Sequence, residues 1–391
     1  MNNRIYLDHA ATTDMLPEVV YAMEPYLVKK YGNASTTYEL GTEAKRAITN
    51  AREEIAAVIH AKPTEIYFTS GGSESDNWAT KGIAGERKQK SKHIITSKIE
   101  HHAILHSCEH LERLGYKVTY LDVNKDGIVD LKQLEELINK SKWSKYPLDK
   151  ISLISIMYAN NEIGTIEPIE EIGRLAGRNG ITFHTDAVQA VGQVPISVQK
   201  LPIDMLSASA HKFHGPKGVG FLYVKDEVKI PSFIHGGGQE SGKRAGTENV
   251  AGIVGMAKAL TISNKEMLRK SRELTNLRNY FIKRVMTEIP DVMINGPREK
   301  RLPGNVNISF KDVSGVALLV LLEEDGIFAS AGSACSAGNT SLSHVIRAIE
   351  VPKNYAYGTI RFSMGRETTK EEVDKTISVL KNSIQLLRVT V

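Results

Sequence analysis

Cysteine is almost absent from this chain: 391 residues contain two, Cys108 and Cys335. That scarcity excludes a disulfide framework and a four-cysteine metal site, and it leaves two thiols to be judged singly by their surroundings. Long apolar runs are also missing. No stretch approaches the ~20 residues of a membrane span, and the opening Met1-Asn-Asn-Arg-Ile-Tyr-Leu-Asp-His9 lacks the apolar core of a signal peptide. A cytoplasmic address with no membrane partner is the expectation. Neither sign of charge dominates, since 50 Lys and Arg face 45 Asp and Glu for a net +5. The densest basic run, Arg87, Lys88, Lys90 and Lys92, is short and reads as a solvated helix end. No nucleic-acid partner is expected.

What is present is ordinary globular composition, 41% hydrophobic and 24% charged, which excludes collagenous, coiled-coil and disordered classes. At about 150 residues per domain the length suggests one large or two moderate domains. Short apolar, β-branched runs recur at 66–69, 93–96, 118–123, 151–158, 181–184, 205–209 and 219–224, with helix-like segments between most of them. Several are apolar at consecutive positions, as strands buried on both faces should be, so the pattern predicts an α/β fold with a mainly parallel sheet. The rhythm then changes to a long helix-like stretch over 253–289 and strand candidates at 306–310, 327–330 and 359–363. The resulting division is a large domain over 16–254 and a smaller α+β domain made of 1–15 and 255–391. In open sheets of this kind ligands bind at the carboxyl ends of the strands.

Three such strand ends carry chemistry. After the first run comes Gly71-Gly72-Ser73-Glu74-Ser75 opening a helix, where glycines allow close backbone approach and free amides face an anion. The run at 181–184 leads into Asp186, a carboxylate costly to bury unless it meets a cation such as a protonated pyridine nitrogen; capping of the next helix is the plainer alternative. After the next strand, Ser209-Ala-His211-Lys212 sets a lysine among small residues and histidine, a setting that lowers an amine's pKa and suits Schiff-base formation, though a solvated loop lysine is common. A phosphate cup, then Asp, then Lys on successive strands is the order a pyridoxal phosphate site requires.

With Tyr6-Leu-Asp8-His-Ala-Ala, Thr69-Ser-Gly-Gly-Ser-Glu-Ser75, Glu100-His101, Asn160-Asn161-Glu162-Ile-Gly164, Asp186-Ala-Val-Gln189, Ser209-Ala-His211-Lys212, Gly236 through Asn249 and Ala331-Gly-Ser-Ala-Cys335-Ser added, essentially the whole chain resembles the NifS/IscS-like cysteine desulfurases of the class V aminotransferase group. The resemblance implies the pyridoxal phosphate-dependent transferase fold of type I, a homodimer, and removal of sulfur from L-cysteine to give alanine. It implies that Lys212 binds the cofactor and moves the α-proton, Asp186 pairs with the ring nitrogen, and His101 stacks on the ring. Asn161 and Gln189 would hold the ring, while Gly72, Ser73, Ser209 and His211 grip the phosphate and Thr247 of the second subunit completes that grip. Arg361, helped by Asn33 and Asn161, would clamp the substrate carboxylate. Cys335, in a small, polar segment at about 330–341, would take the sulfur as a persulfide and pass it to an acceptor, an iron-sulfur scaffold or a thiolation enzyme.

Other readings stay in view. A selenocysteine lyase or a class V aminotransferase would share most of these residues, though plain transamination has no use for Cys335, and a non-catalytic sulfur-relay scaffold would not need Lys212. Cys108, at helical spacing in 103–114, reads as packed. His102, His106 and His110 share a helix face but lack a completing ligand, so no metal is expected. Asp122-Val-Asn124-Lys-Asp126-Gly127 resembles the start of a calcium loop, yet Gln133 replaces the closing Glu, and a polar strand-to-helix turn accounts for it better. The chain departs from the family at Asn33-Ala34-Ser35-Thr36-Thr37-Tyr38, which lacks the usual Pro and His, and at Gly72-Ser73, where Ala-Thr is common. The segment after its last predicted helix is short, without the tail some members dock to a scaffold, which leaves the acceptor open.

Overall fold

The computed structural model describes residues 4–85, 91–331 and 342–389. Most of the basic run, and Cys335, lie outside them. Twelve strands are formed among the described residues: β1 (Ile5–Tyr6), β2 (Ile66–Thr69), β3 (His93–Ser97), β4 (Lys117–Leu121), β5 (Ile151–Ser155), β6 (Thr182–Asp186), β7 (Met205–Ser209), β8 (Gly220–Val224), β9 (Val292–Ile294), β10 (Asn305–Phe310), β11 (Ile327–Phe328) and β12 (Thr359–Ser363). Seven build one sheet in the order β2-β8-β7-β6-β5-β3-β4. Pairings from β4 to β7 are parallel, whereas β8 runs antiparallel to both β7 and β2. Two reversals restore direction, so β2 ends at the same edge as β5, β6 and β7. The sheet is thus mostly parallel, with one inverted strand that the consecutive apolar pattern of 219–224 could not distinguish, because a buried strand reads the same in either direction.

Burial explains the strands. Every residue of β3, β5, β7 and β8 is buried, as continuous apolar strands between helical layers must be. One face packs in a large cluster with Phe68, Ile154, Phe183, Phe221, Met256 and Leu260, and the other in a cluster around Trp78, Ile94, Cys108 and Leu222. Cys108 is thereby an interior thiol on the helix His102–Arg113, and burial pushes it up to about 12. The 122–130 segment is the polar turn expected: Asn124 Oδ1 accepts the Asp126 and Ile128 amides, and Asp130 caps the helix Leu131–Trp143.

A helix of 39 residues, Val250–Glu288, runs on from the sheet. Its first half packs in the large cluster, and Phe281, Ile282 and Val285 pack in a separate one with Val306, Ile308, Phe362 and Leu380. That second core is covered by the antiparallel sheet β12-β10-β9. The N-terminal segment joins it: β1 pairs parallel with β11, and Ile5 and Leu7 are buried there. From that sheet the chain passes over the edge where β5, β6 and β7 end.

Candidate active site

A cavity of about 250 Å³ opens at this edge, and its lining includes Gly72, Ser73, His101, Asn161, Asp186, Gln189, Ser209, His211, Lys212 and Arg361. Each arrives for a topological reason. β2 ends at Thr69, Gly71 takes a φ of +148° that strongly favours glycine, and the helix Gly72–Gly85 begins with its first-turn amides at the cavity. Ser209 closes β7 and Asp186 closes β6. In the same register, Gly220 of β8 pairs with both Thr69 and Ser209.

Lys212 follows β7 in a single tight turn, and its Nζ donates to the carbonyls of Ala10 and Ala11 at 2.6 and 2.8 Å. Gln189 Nε2 shares the Ala10 carbonyl at 3.0 Å. His211 Nδ1 lies 3.1 Å from Thr12 Oγ1. The N-terminal segment is therefore a wall of the site, made largely of backbone oxygens.

The charged groups are sorted by burial. The Asp186 carboxyl lines the cavity and accepts the Val188 amide at 2.9 Å; the chain after it forms turns, so the helix cap offered as the plainer alternative is not what is found. Burial raises it to about 6, against the pull of that amide and of the Lys212 charge. His101 is held down to about 4 by burial and then by the Lys212 charge. Its Nδ1 accepts the Ala103 amide at 3.1 Å, capping its own helix, which leaves the proton of the neutral ring on Nε2. His211 is likewise lowered to about 4, by burial and the same lysine.

Arg361 is 1% exposed on β12. Its Nη2 meets Asp8 Oδ1 at 2.6 Å, its Nη1 donates to the Asn161 carbonyl at 3.1 Å, and its Nε has no hydrogen-bond partner among the described residues. A buried guanidinium with an unused N–H is fitted to one more acceptor, such as a carboxylate.

The structure does not bring every expected residue here. Asn33 is exposed, its Oδ1 occupied by the Ser35 amide at 2.9 Å, and it does not line the cavity. Thr247 is exposed and lines a different cavity with Ser70, Gly218 and Arg244. Cys335 belongs to 332–341, outside the described residues. His102, His106 and His344 cluster beside the site, with His102 ring centroids 4.9 Å from each of the other two. Missed in the sequence were Asp8 as the partner of Arg361, the Ala10 and Ala11 carbonyls, and Asp76 in the cavity floor. The first two are carried by a segment over 200 positions from Lys212 in sequence, and Asp76 reads as one more acidic residue of a helix.

An amine in reach of a buried carboxyl, a glycine-rich helix start and an arginine with a spare N–H form a donor set that fits an anionic aldehyde cofactor with a basic ring nitrogen, together with an amino acid. Known proteins agree with that chemistry. The family model described as Aminotransferase class-V matches residues 5–376. A protein of Dictyoglomus turgidum named cysteine desulfurase IscS is 52% identical over 388 residues, 99% of this chain and 96% of its own length. Among solved structures, one titled NifS-like protein superposes with a TM-score of 0.90 at 38% identity, covering 98% of this chain and 100% of that one. Another, titled SspA in complex with cysteine, has a TM-score of 0.78 at 36% identity, covering 92% and 98% of the two chains.

Proposed function

The chain belongs to the class V aminotransferase family and is a pyridoxal phosphate-dependent cysteine desulfurase of type I fold; from that premise we propose how its residues divide the work. Pyridoxal phosphate, when bound, supplies an aldehyde carbon that takes up an amine and a protonated ring that draws electrons from the adjoining carbon. The residues of this chain that would hold it are Lys212 at the aldehyde and Asp186 at the ring nitrogen. His101 would lie against the ring face, with Asn161 and Gln189 at its edge. Gly72, Ser73, Ser209 and His211 would surround its phosphate.

The observation that carries the reading is convergence of Lys212, Asp186 and Arg361 on one cavity, an amine, an anion and a cation each placed by a different strand. Arg361 would turn its free Nε to the carboxylate of L-cysteine, with Asn161, which lines the same cavity, assisting. Lys212 Nζ, released from the Ala10 and Ala11 carbonyls, would take the α-proton. His101, neutral with its proton on Nε2, donates a hydrogen bond without adding a positive charge beside Lys212. The Cys335 thiolate attacks the substrate sulfur: the new S–S bond forms as the C–S bond breaks, the carbon keeps the electron pair and gains a proton, and alanine leaves.

The wider assignment is a homodimer in which exposed Thr247 reaches the partner's phosphate site, with a division at 16–254 against 1–15 and 255–391. The acceptor is an iron-sulfur scaffold or a thiolation enzyme, and the address is the cytoplasm. No described helix is long and apolar enough to cross a membrane.

Incubation of the full chain with L-cysteine and a reductant should yield alanine and sulfide. Cys335→Ser should abolish sulfide release with the bound cofactor's visible absorbance unchanged; undiminished sulfide from that variant would refute the persulfide step. Lys212→Ala should lose that absorbance, and an unaltered spectrum would remove Lys212 from its role.

A further inference from the structure

The cavity floor holds a second carboxyl that the reaction above leaves unused. Asp76, in the helix Gly72–Gly85, is 1% exposed, and its Oδ1 has no hydrogen-bond partner among the described residues. The nearest basic group is His184 Nε2, 3.8 Å from that oxygen. This imidazole cannot serve as a cation. It is fully buried, its two nitrogens face Ser155 Oγ and Ser207 Oγ at 2.9 Å each, and burial holds it down to about 3. The remaining titratable groups that act on Asp76 are Asp186 and Glu100, both of which disfavour its charge, with the Ser207 hydroxyl the polar group that favours it. Glu100, from the turn after β3, is itself pushed up to about 8 by burial.

We propose that Asp76 is a positioning residue: it remains a neutral carboxylic acid beside Asp186, so that the two buried carboxyls together carry one negative charge, matched to one protonated ring nitrogen. Two carboxylates sharing a water-poor site cannot both ionise cheaply, and they divide their protons as a pair. The asymmetry of the surroundings decides which keeps the proton. Asp186 has the Val188 amide and the Lys212 charge to favour its anion. Asp76 has a hydroxyl and a neutral imidazole. Proton sharing stands on Asp76 and its neighbours alone, while the match to the ring nitrogen rests on the Proposed function.

The test is the thermal midpoint of the full-length apoprotein from pH 5 to 9, for wild type, Asp76→Asn, Asp186→Asn and the double variant. An acid whose folded pKa is raised binds more protons in the folded state, so it costs stability as pH rises. Asp76→Asn should therefore gain on wild type as pH rises, by about 2 °C or more at the alkaline end, and the gain should shrink in the Asp186→Asn background. Parallel curves, or a loss constant with pH, overturn the neutral acid; an equal gain in both backgrounds overturns the sharing. Independently of any variant, wild-type apoprotein labelled at its aspartate carboxyl carbons should show a protonated carboxyl by NMR at pH 7.5, and its absence also overturns the proposal. Should Asp186→Asn leave the bound cofactor's spectrum and its pH dependence as in wild type, the match to the ring nitrogen falls, and the apoprotein curves judge the proton sharing by themselves.

Discussion

Arg361 and Asp8 show how a single contact links two ends of the chain. The guanidinium is almost wholly buried, and Asp8 is its one carboxylate partner among the described residues. Removing one member of such a pair leaves a charge without compensation, typically at about 3 kcal/mol or more. Asp8→Ala should accordingly lower stability by that order in a denaturant titration, and Asp8→Asn by less, since an amide oxygen can still accept from Nη2. The resemblance to the desulfurases assigns Arg361 to the site, whereas Asp8, although part of the Tyr6-Leu-Asp8-His motif that carries the resemblance, has no task in it. A sequence shows residue types and local order; it does not show that positions 8 and 361 touch, because that contact is made by β12 and the N-terminal segment lying side by side.

At the scale of elements, β8 carries a constraint out of proportion to its five residues. Gly220 is paired with Thr69 on one side and Ser209 on the other, and a Cβ there would stand 2.4 Å from the Ala208 oxygen and 2.7 Å from the Gly71 Cα. Both are backbone atoms and cannot rotate away. Gly220→Ala should force apart the two strand ends that form the phosphate side of the site, costing about 1–3 kcal/mol and weakening cofactor retention, measured as the fraction of cofactor kept through gel filtration. Apolar runs marked β2 through β8 to within a few residues, because burial on both faces leaves a signal along the chain. The inversion of β8 left none. Nor did β9, whose three half-buried residues Val292–Ile294 are too few to stand out from the loop around them.

Across the whole molecule, the balance of buried titratable groups sets a stability curve with two slopes. His93, His101 and His211 are held down to about 4 and His184 to about 3, all chiefly by burial. Their unfolded forms take up protons near pH 6.5 while the folded forms do not, so stability should fall as pH drops from about 6.5 towards 4. Glu100 works in the opposite sense: pushed up to about 8, it holds a proton in the folded state that the unfolded chain has released, and stability should decline from about pH 4.5 to 8. Where the two ranges overlap the four histidines outweigh Glu100, so thermal midpoints of the apoprotein should peak near pH 6.5, and replacing His184 with Gln should flatten the acid limb. A midpoint insensitive to pH between 4 and 6.5 would contradict the burial of these rings as neutral species.

The mooring of Lys212 has one more implication. Its ammonium is held by the peptide oxygens of residues 10 and 11, and no exchange of side chains at those positions deletes a peptide oxygen. An alanine scan would pass over this anchor without registering it, since both positions are alanine already. Only rerouting the main chain, by a deletion, an inserted residue or an ester in place of an amide, can disturb it. Part of this site is encoded in the path of the polypeptide and not in its alphabet, so a search through point variants would never find it.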